Sequence, residues 1–569
     1  MSPTGMPRRP FLQAAAVAAL VGAGAACARI PTSSPISVTP LGDQGQAGAP
    51  YVQARPPSTG ASPEEVVSGF IQAGVGPVDD YSVAREYLTE KERARWNPTG
   101  AVTVYSGSQE LDVAVLSERA VAATMQVTAT LDAVGVRSRP SAPMSRTFGF
   151  ELENVQGQWR ISSAPDGIYL SEAAFETLFT PVRLYFADPR TIHLVPDHRW
   201  LAVHEGSSAI LSALAAGPQS FLVDAVHSAV PRTSGVSDPK VSPAADGTVQ
   251  VTIPAAIGAL AAGPRALALA QIEASLRSAP SLPDVQLVWD GPDLTPAQKM
   301  TAERAVPGHR PFGAGPTGVV SLADPKAKAP AQLVPDLAKR AVRCPVISRD
   351  GVLAAALSED SAAVLLASTT HEFPVREAAT GGTFVPPTVD DAGFAWTSTV
   401  TGSGALLVLS HAGGGKDIAL EAAWLNGREI RTLALAPDAT RMLVLSVEAG
   451  VPRLDLCAVV RADDGVPRAI TDPTPVRTTL ADLTSVSWYD EGSAIVLGGD
   501  SPTGDRRARI VDLSGTMQPL PTLRAGTDWI AGTSVGESIW ATTESGHLLR
   551  TAGGDWHRVD LPVHEPAFY

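Results

Sequence analysis

The side chain with the most definite chemistry in this sequence is the thiol of Cys27. It follows the small residues Gly24-Ala25-Ala26, and ahead of them lie an almost charge-free stretch, 14–26, and a basic start, Arg8-Arg9-Pro10-Phe11-Leu12-Gln13. A basic start, a short apolar run and small residues before a cut describe a secretory signal peptide, and the apolar part is too short to span a bilayer. A cysteine at that junction points to bacterial lipidation: an S-diacylglycerol cysteine whose freed amino group is then acylated, an N-palmitoyl cysteine. The position three before it is Gly24, where such junctions favour Leu. If Cys27 is instead one of the last residues of an ordinary signal peptide, the protein is freely secreted. The Arg8-Arg9 pair followed by Phe11-Leu12 also resembles a twin-arginine export signal, which leaves the export route open between that and the general one.

Other candidate motifs weaken when their context is read. Gly313-Ala314-Gly315-Pro316-Thr317-Gly318 fits the spacing of a phosphate-cradling glycine loop. Such a loop needs a strand before it and a helix N-terminus after it, and Pro316 sits inside this one, so it reads as a linker turn. Gly532-Thr533-Ser534-Val535-Gly536 fits a nucleophile elbow, which requires a strand-to-helix turn, yet the surrounding pattern is a hairpin. Gly413-Gly414-Gly415-Lys416 lacks the spacing and hydroxyl of a P-loop and reads as a hairpin tip. His193, His198 and His204 cluster in sequence without the spacings of a metal site, and read as scattered surface histidines. Cys344 and Cys457 are too few for a disulfide scaffold; they read as two separate buried thiols or one bridge. No catalytic residue, cofactor or metal is expected.

Composition narrows the function classes. The chain has 569 residues, 44% hydrophobic and 18% charged, with 44 basic and 58 acidic side chains. Removing residues 1–26 takes away Arg8 and Arg9 and no acid, leaving 42 basic side chains against 58 and a charge near −16. That balance argues against nucleic acid and against adhesion to an anionic lipid surface. Nothing after the signal approaches 18 uninterrupted apolar residues. The length suggests about three domains.

The elements that must carry these residues fall into consecutive stretches. Residues 27–61, rich in Pro, Ser, Gly and Ala, read as a tether with a coil reach of roughly 30 to 35 Å. A first domain, 62–180, opens at Ser62-Pro63-Glu64-Glu65, the pattern of a capping box, followed by Val66, Val67, Phe70 and Ile71 at helical spacing. A second helix is predicted over 81–95, and then alternating strands in LDVAVL, AATMQVTATL, RTFGFELE and QWRISSA. Helices followed by a curled sheet suggest an α+β fold of the cystatin or NTF2-like kind. A second domain, 181–294, alternates strands (VRLYFAD, TVQVTIP, DVQLVWDG) with helices over 208–216 and 266–277, an α/β sandwich. Residues 295–317 read as a linker. From 318 to 569 helical periodicity gives way to repeated hairpins, near Ser358, Gly402, Asp438, Glu491 and Gly536, at intervals of roughly 35 to 55 residues; this is the period of a β-propeller, with five to seven blades, and a two-sheet sandwich is the alternative.

The segments CARIPTSSP (27–35), DDYSVAREYLT (79–89), RWNP (95–98), GQWRIS (157–162), VRLYFAD (182–188), LAAGP (214–218) and VQLVWDG (285–291) together resemble the actinobacterial LpqB lipoprotein family. The resemblance implies a GerMN-like middle domain and a C-terminal β-propeller. It also implies an extracytoplasmic accessory, lipid-anchored at the cell membrane, that contacts the sensor domain of an MtrB-type histidine kinase and modulates the MtrA–MtrB two-component system. Neither composition nor spacing identifies that partner. Two function classes stay open: a regulatory protein presenting non-catalytic binding domains to a membrane partner or to cell-wall material, and a cell-envelope enzyme or ligand-binding protein acting on peptidoglycan or lipid through a site pooled from distant residues.

Burial of acyl chains contributes about 0.8 kcal/mol per CH₂, and stable anchoring takes two chains. Cys27→Ala should therefore move the protein from membrane to soluble fractions or stall its processing. Membrane retention of a correctly processed variant would refute lipidation as the anchor.

Overall fold

The computed structural model describes residues 54–569 apart from 108–110, 141, 233–239, 244–247, 281, 283, 290–301, 412–415 and 502–503. Cys27, the signal segment and most of the expected tether lie outside the described residues. The end of that expected tether, 54–61, is not free chain: Ala54 and Ala61 pack on the first domain's core, and the carbonyl of Arg55 accepts from the Tyr87 hydroxyl at 2.9 Å. Among the described residues no helix is long and apolar enough to cross a membrane.

The first domain begins as its residues dictate. Ser62 Oγ accepts from Glu65 N and Glu65 Oε2 accepts from Ser62 N, a reciprocal pair that satisfies two donors at the start of the helix Pro63–Ala73. The buried face of that helix, Val66, Val67, Phe70 and Ile71, lies against a sheet in which Gln158–Ser163, Met144–Val155, Ala120–Asp132, Ala101–Tyr105 and Ile168–Ser171 are neighbours in that order. The single helix expected over 81–95 is two, Val78–Arg85 and Glu90–Arg95. The break has a physical cause: Ile161 N and Thr89 N bond the carbonyls of Tyr87 and Ile161, each at 2.8 Å, which draws Leu88 onto the sheet. Thr89 Oγ1 then caps the next turn.

The second domain places the helices Ser207–Ala216 and Ala262–Arg277 with two small sheets. One joins Phe179–Ala187, His193–Ala202 and Glu303–Arg304; the other joins Val241–Pro243, Val249–Ile253 and Val285–Trp289. Alternation along Phe179–Ala187 sends Val182, Leu184 and Phe186 into this core. Trp200, on the neighbouring strand, packs instead into the first domain's core, 4.9 Å from the ring of Phe175.

Six sheets follow among the described residues, and their inner strands, Val342–Ile347, Thr388–Val389, Glu429–Leu435, Asp482–Trp488, Thr527–Thr533 and His564–Phe568, ring a central axis. This is a propeller with six blades. Four of them turn from first to second strand on an aspartate, Asp350, Asp390, Asp438 or Asp490, whose Oδ1 accepts backbone N–H groups two to four residues on. The hairpins noted near Ser358 and Gly402 join second to third strands, whereas those near Asp438, Glu491 and Gly536 join first to second.

The expected linker, 295–317, is largely structural where described. Glu303–Arg304 runs parallel to His193–Leu194, Ala305 is buried, and Pro311–Gly315 is already the middle strand of the first blade, between Gly318–Ser321 and His564–Phe568. The propeller thus starts before residue 318, and the chain's last strand closes the ring. Glycine hid this strand because close approach demands it there: a Cβ on Gly313 would stand 2.6 Å from the carbonyl oxygen of His564. Phe312, fully buried beside Tyr569 at a ring separation of 5.5 Å, anchors the closure. Phe312→Ala should cost about 3–5 kcal/mol. Calorimetry should record this as a fall on the order of 10 °C in the propeller transition, while Leu116→Ala, at an exposed position, leaves it unchanged.

Candidate functional site: the seam between the middle domain and the propeller

Strand alternation decides which side chains the middle domain offers to the propeller. Where Val182, Leu184 and Phe186 point inward, Arg183 and Tyr185 point out. Their backbone is held from the other edge by the helix Ala262–Arg277 and the residue after it: Ser278 Oγ accepts from Arg183 N at 2.9 Å, Ser275 Oγ from Tyr185 N at 2.9 Å, and Gln271 Nε2 donates to the Tyr185 carbonyl at 3.0 Å. A strand edge that would otherwise be open is thereby satisfied and fixed.

Both side chains meet blade five. The carboxylate of Glu491, on the turn between Asp482–Trp488 and Ser493–Gly499, accepts the Tyr185 hydroxyl at 2.7 Å and lies 3.4 Å from both Arg183 Nη1 and Arg304 Nη1. Arg183 Nη2 also reaches Asp512 Oδ2 at 3.2 Å, and His198 Nδ1 stands 3.5 Å from Asp512 Oδ1. Burial pushes the Tyr185 hydroxyl well above its usual range, reinforced by Glu491, so it is a hydrogen-bond donor at all working pH. Burial would likewise raise Asp512, but His198 and Ser514 outweigh it and hold that carboxyl well below the ordinary range. The turn must be glycine at 492: a Cβ there would meet His198 Cε1 at 2.6 Å and Arg183 Nε at 2.8 Å. Away from blade five, His193 Nε2 lies 4.0 Å from Asp391 of blade three, and Ala458 of blade four is part of the middle domain's core. The Trp200 indole N–H donates to the Ser514 carbonyl at 2.9 Å, which brings the first domain's core to the same seam.

Two of the three clustered histidines belong to the seam, so they are not the scattered surface residues expected: His193 and His198 are buried on one strand, each beside a different propeller acid. His204 sits on the turn Val203–Glu205, its imidazole lowered by burial and partly restored by Glu205. Among the described residues no group of His, Cys, Asp and Glu could hold a metal. Gly315 and Gly318 face each other across a two-residue hairpin turn, so the GxGxxG segment belongs to blade one and is no linker. Ser534 is half-buried on the turn between Thr527–Thr533 and Ser538–Thr543, with its N–H bonded to the Tyr489 carbonyl at 2.8 Å. A Cβ on Gly532 would stand 2.5 Å from Ile495 Cδ1 of blade five, so a side chain there would displace that methyl. Gly413, Gly414 and Gly415 lie outside the described residues, as does Cys27. Cys344 and Cys457 are unbridged and buried; burial pushes Cys457 up to about 12, and burial together with Glu565 raises Cys344, so neither supplies a thiolate near neutrality.

The propeller axis holds a cavity of about 200 Å³ walled by Leu433, Val486, Trp488, Trp529 and Ile530, with the segment 306–308 and Tyr569 against it. Trp488 and Trp529 spend their indole N–H groups on the carbonyls of Ala434 and Pro566, at 2.8 and 2.9 Å. Composition gave no signal for Glu491, Tyr185 or Arg183; alternation along VRLYFAD marks the two outward positions, and the partner is visible only in three dimensions.

Residues 56–176 match the family described as "Lipoprotein LpqB, N-terminal domain", residues 183–295 match "Sporulation and spore germination", and residues 321–568 match "Lipoprotein LpqB beta-propeller domain". A protein of Cutibacterium acnes named Lipoprotein LpqB is 26% identical, over 86% of this chain and 86% of its own. Relatives of the same name in Bifidobacterium longum, 27% identical over 83% of this chain and 84% of theirs, and in Streptomyces avermitilis, 25% identical over 95% and 96%, extend the match to nearly the full length. With the same three parts in the same order, and relatives aligned along almost the whole chain, this protein belongs to the LpqB lipoprotein family.

Proposed function

We propose that this protein is held at the extracytoplasmic face of the cell membrane by lipid on Cys27 and modulates the sensor domain of an MtrB-type histidine kinase, and with it envelope homeostasis, by contact rather than turnover. The observation that carries this reading is the buried seam. Glu491, Tyr185, Arg183 and Asp512 tie the middle domain to the propeller, and Trp200 ties both to the first domain, so the partner meets a single body with a fixed arrangement of surfaces. A regulator acting by contact needs such rigidity, because a binding face that reorients dissipates interaction free energy in ordering. Ser534, on a blade turn, and the two buried thiols offer no activated nucleophile that would favour turnover.

The test is reconstitution of the lipidated protein with the kinase in vesicles, reading autophosphorylation and crosslinking. Ser534→Ala should leave the kinase response unchanged; loss of response with an intact fold would move the reading to an enzyme. A chain near −16 after processing favours a partner with basic patches, so association should weaken several-fold as salt rises through the physiological range. Indifference to salt would remove the electrostatic part of the reading.

Rigidity should also fail in acid in a definite direction. The Asp512 carboxyl is depressed in the folded state, so its contribution is fully present above the unfolded value near 4 and is lost as pH falls below it. Tryptophan fluorescence followed from about pH 6 to pH 2 should report loosening at the seam, and Asp512→Asn should start looser at pH 6 and respond less.

A further inference from the structure

A cleft of about 310 Å³ opens where all three domains meet, and its charge contradicts that of the chain. The protein as a whole carries −14, yet Arg137, Arg139, Arg477 and His198 line this cleft against one carboxylate, Asp512; the further arginine in its wall, Arg441, is already paired with Asp438. That carboxylate is already taken by Arg183, His198 and the N–H of Ser514, the last at 2.7 Å. Among the described residues Arg137 and Arg139 form no ion pair, and Glu172 and Glu176 act on them only from longer range. Burial, with Arg139 alongside, pulls the Arg137 guanidinium down to about 10, the mark of a buried cation without a counter-charge.

Several polar atoms around the cleft are unspent. Arg137 lies over the rings of Phe175 and Trp200, 4.8 and 4.6 Å from their centroids, which fixes its plane and leaves its in-plane N–H groups for an acceptor. Its Nε is buried with no partner, and so is Nη1 of the fully buried Arg441; His198 Nε2, on a side chain 8% exposed, is also without a partner. Unsatisfied buried donors of this kind are rare, and two guanidinium groups with unspent N–H in one cleft point to an acceptor with several oxygens. Three arginines that have no ion-pair partner among the described residues line one cleft, and they suit a phosphate, which offers three terminal oxygens, better than a carboxylate. The remaining wall is apolar, with Trp200, Phe221, Leu456, Val476 and Met517.

We propose that this three-domain cleft is a binding site for a phosphate monoester with an apolar body, the phosphate held by Arg137, Arg139, Arg477 and His198 and the body by Trp200, Phe221 and Met517. Its ligand bridges the first domain, the middle domain and the propeller, and so reinforces the docked arrangement. This goes beyond contact with a kinase and stands whether or not that contact occurs.

The shared chemistry can come from a soluble ester or from a lipid head group, and the experiment separates them. The protein beginning at Ala28, which carries no lipid of its own, is titrated with phenyl phosphate and inorganic phosphate while tryptophan fluorescence and the unfolding temperature are followed. The same protein is floated with phosphatidylcholine vesicles lacking or containing phosphatidic acid. Saturable binding of phenyl phosphate, tighter than that of inorganic phosphate, supports the proposal with a soluble ligand; flotation only with phosphatidic acid supports it with a lipid ligand, since an acidic chain gains nothing from anionic vesicles in general. Arg139→Gln and Arg477→Gln, at half-buried and exposed positions, should each weaken whichever binding is seen by about tenfold, with near-ultraviolet circular dichroism unchanged, whereas the surface variant Arg507→Gln should not. Absence of binding in both arms overturns the proposal, and so does binding that both cleft variants retain in full.

Discussion

The arrangement of this protein depends on one buried carboxylate, that of Glu491. It sits on a propeller turn yet has its partners in the middle domain and the strand that follows it: a hydroxyl from Tyr185 at 2.7 Å and guanidinium groups from Arg183 and Arg304, each at 3.4 Å. A carboxylate withdrawn from water is tolerated only when charge and hydrogen bonds replace its hydration, and removing one member leaves the others uncompensated. The seam is thus specific rather than merely adhesive. Apolar contact through Ala458 and Phe221 adds area, but the polar centre sets the register in which the domains meet.

The propeller supplies the stiffness this seam requires. Its first blade takes two strands from residues 311–321 and the third from His564–Phe568, so the ring is closed by hydrogen bonds between the beginning and end of the domain. Glu565 adds a clasp to the next blade by accepting from Arg343 at 2.9 Å and from the N–H of Cys344. The turns on one end of the ring are built on aspartates that bond their own backbone, which leaves neighbouring acids such as Glu491 and Asp391 to face the docked domain. One structural device therefore serves two purposes: Asp490 makes the turn, and the residue after it makes the seam.

Charge is distributed unevenly for a physical reason. Most of the described acids are not buried, whereas at the junction Arg137 lies over Phe175 and Trp200 and Arg441 over Trp488, aromatic neighbours that take part or all of each side chain out of solvent. The same seam that neutralises Asp512 leaves Arg137 Nε and His198 Nε2 without partners. Docking and the capacity for an anion are two outcomes of one convergence of three domains.

How much of this was written in the residues varies with the range of the interaction. Local rules were legible: Ser62 and Glu65 announced a helix start, VRLYFAD a strand, and the stretches near Asp438 and Glu491 hairpins, because capping, alternation and side-chain-to-backbone bonds act over a few residues. The expectation at Cys27 rests on a short linear signal of the same local kind, and that residue lies outside the described ones. Longer-range features were misread or invisible. Leu88 broke an expected helix because Ile161, far along the chain, offered a strand partner. Gly313 and Gly315 read as linker because glycine signals flexibility in isolation, while in the ring it permits backbones to meet. His193 and His198 passed for surface residues because Asp391 and Asp512, which bury them, are brought near only by docking. The sequence by itself determined the parts, their order and their local elements; tertiary structure alone decided how the parts join and which charges lose their water, because burial and pairing depend on residues hundreds of positions apart.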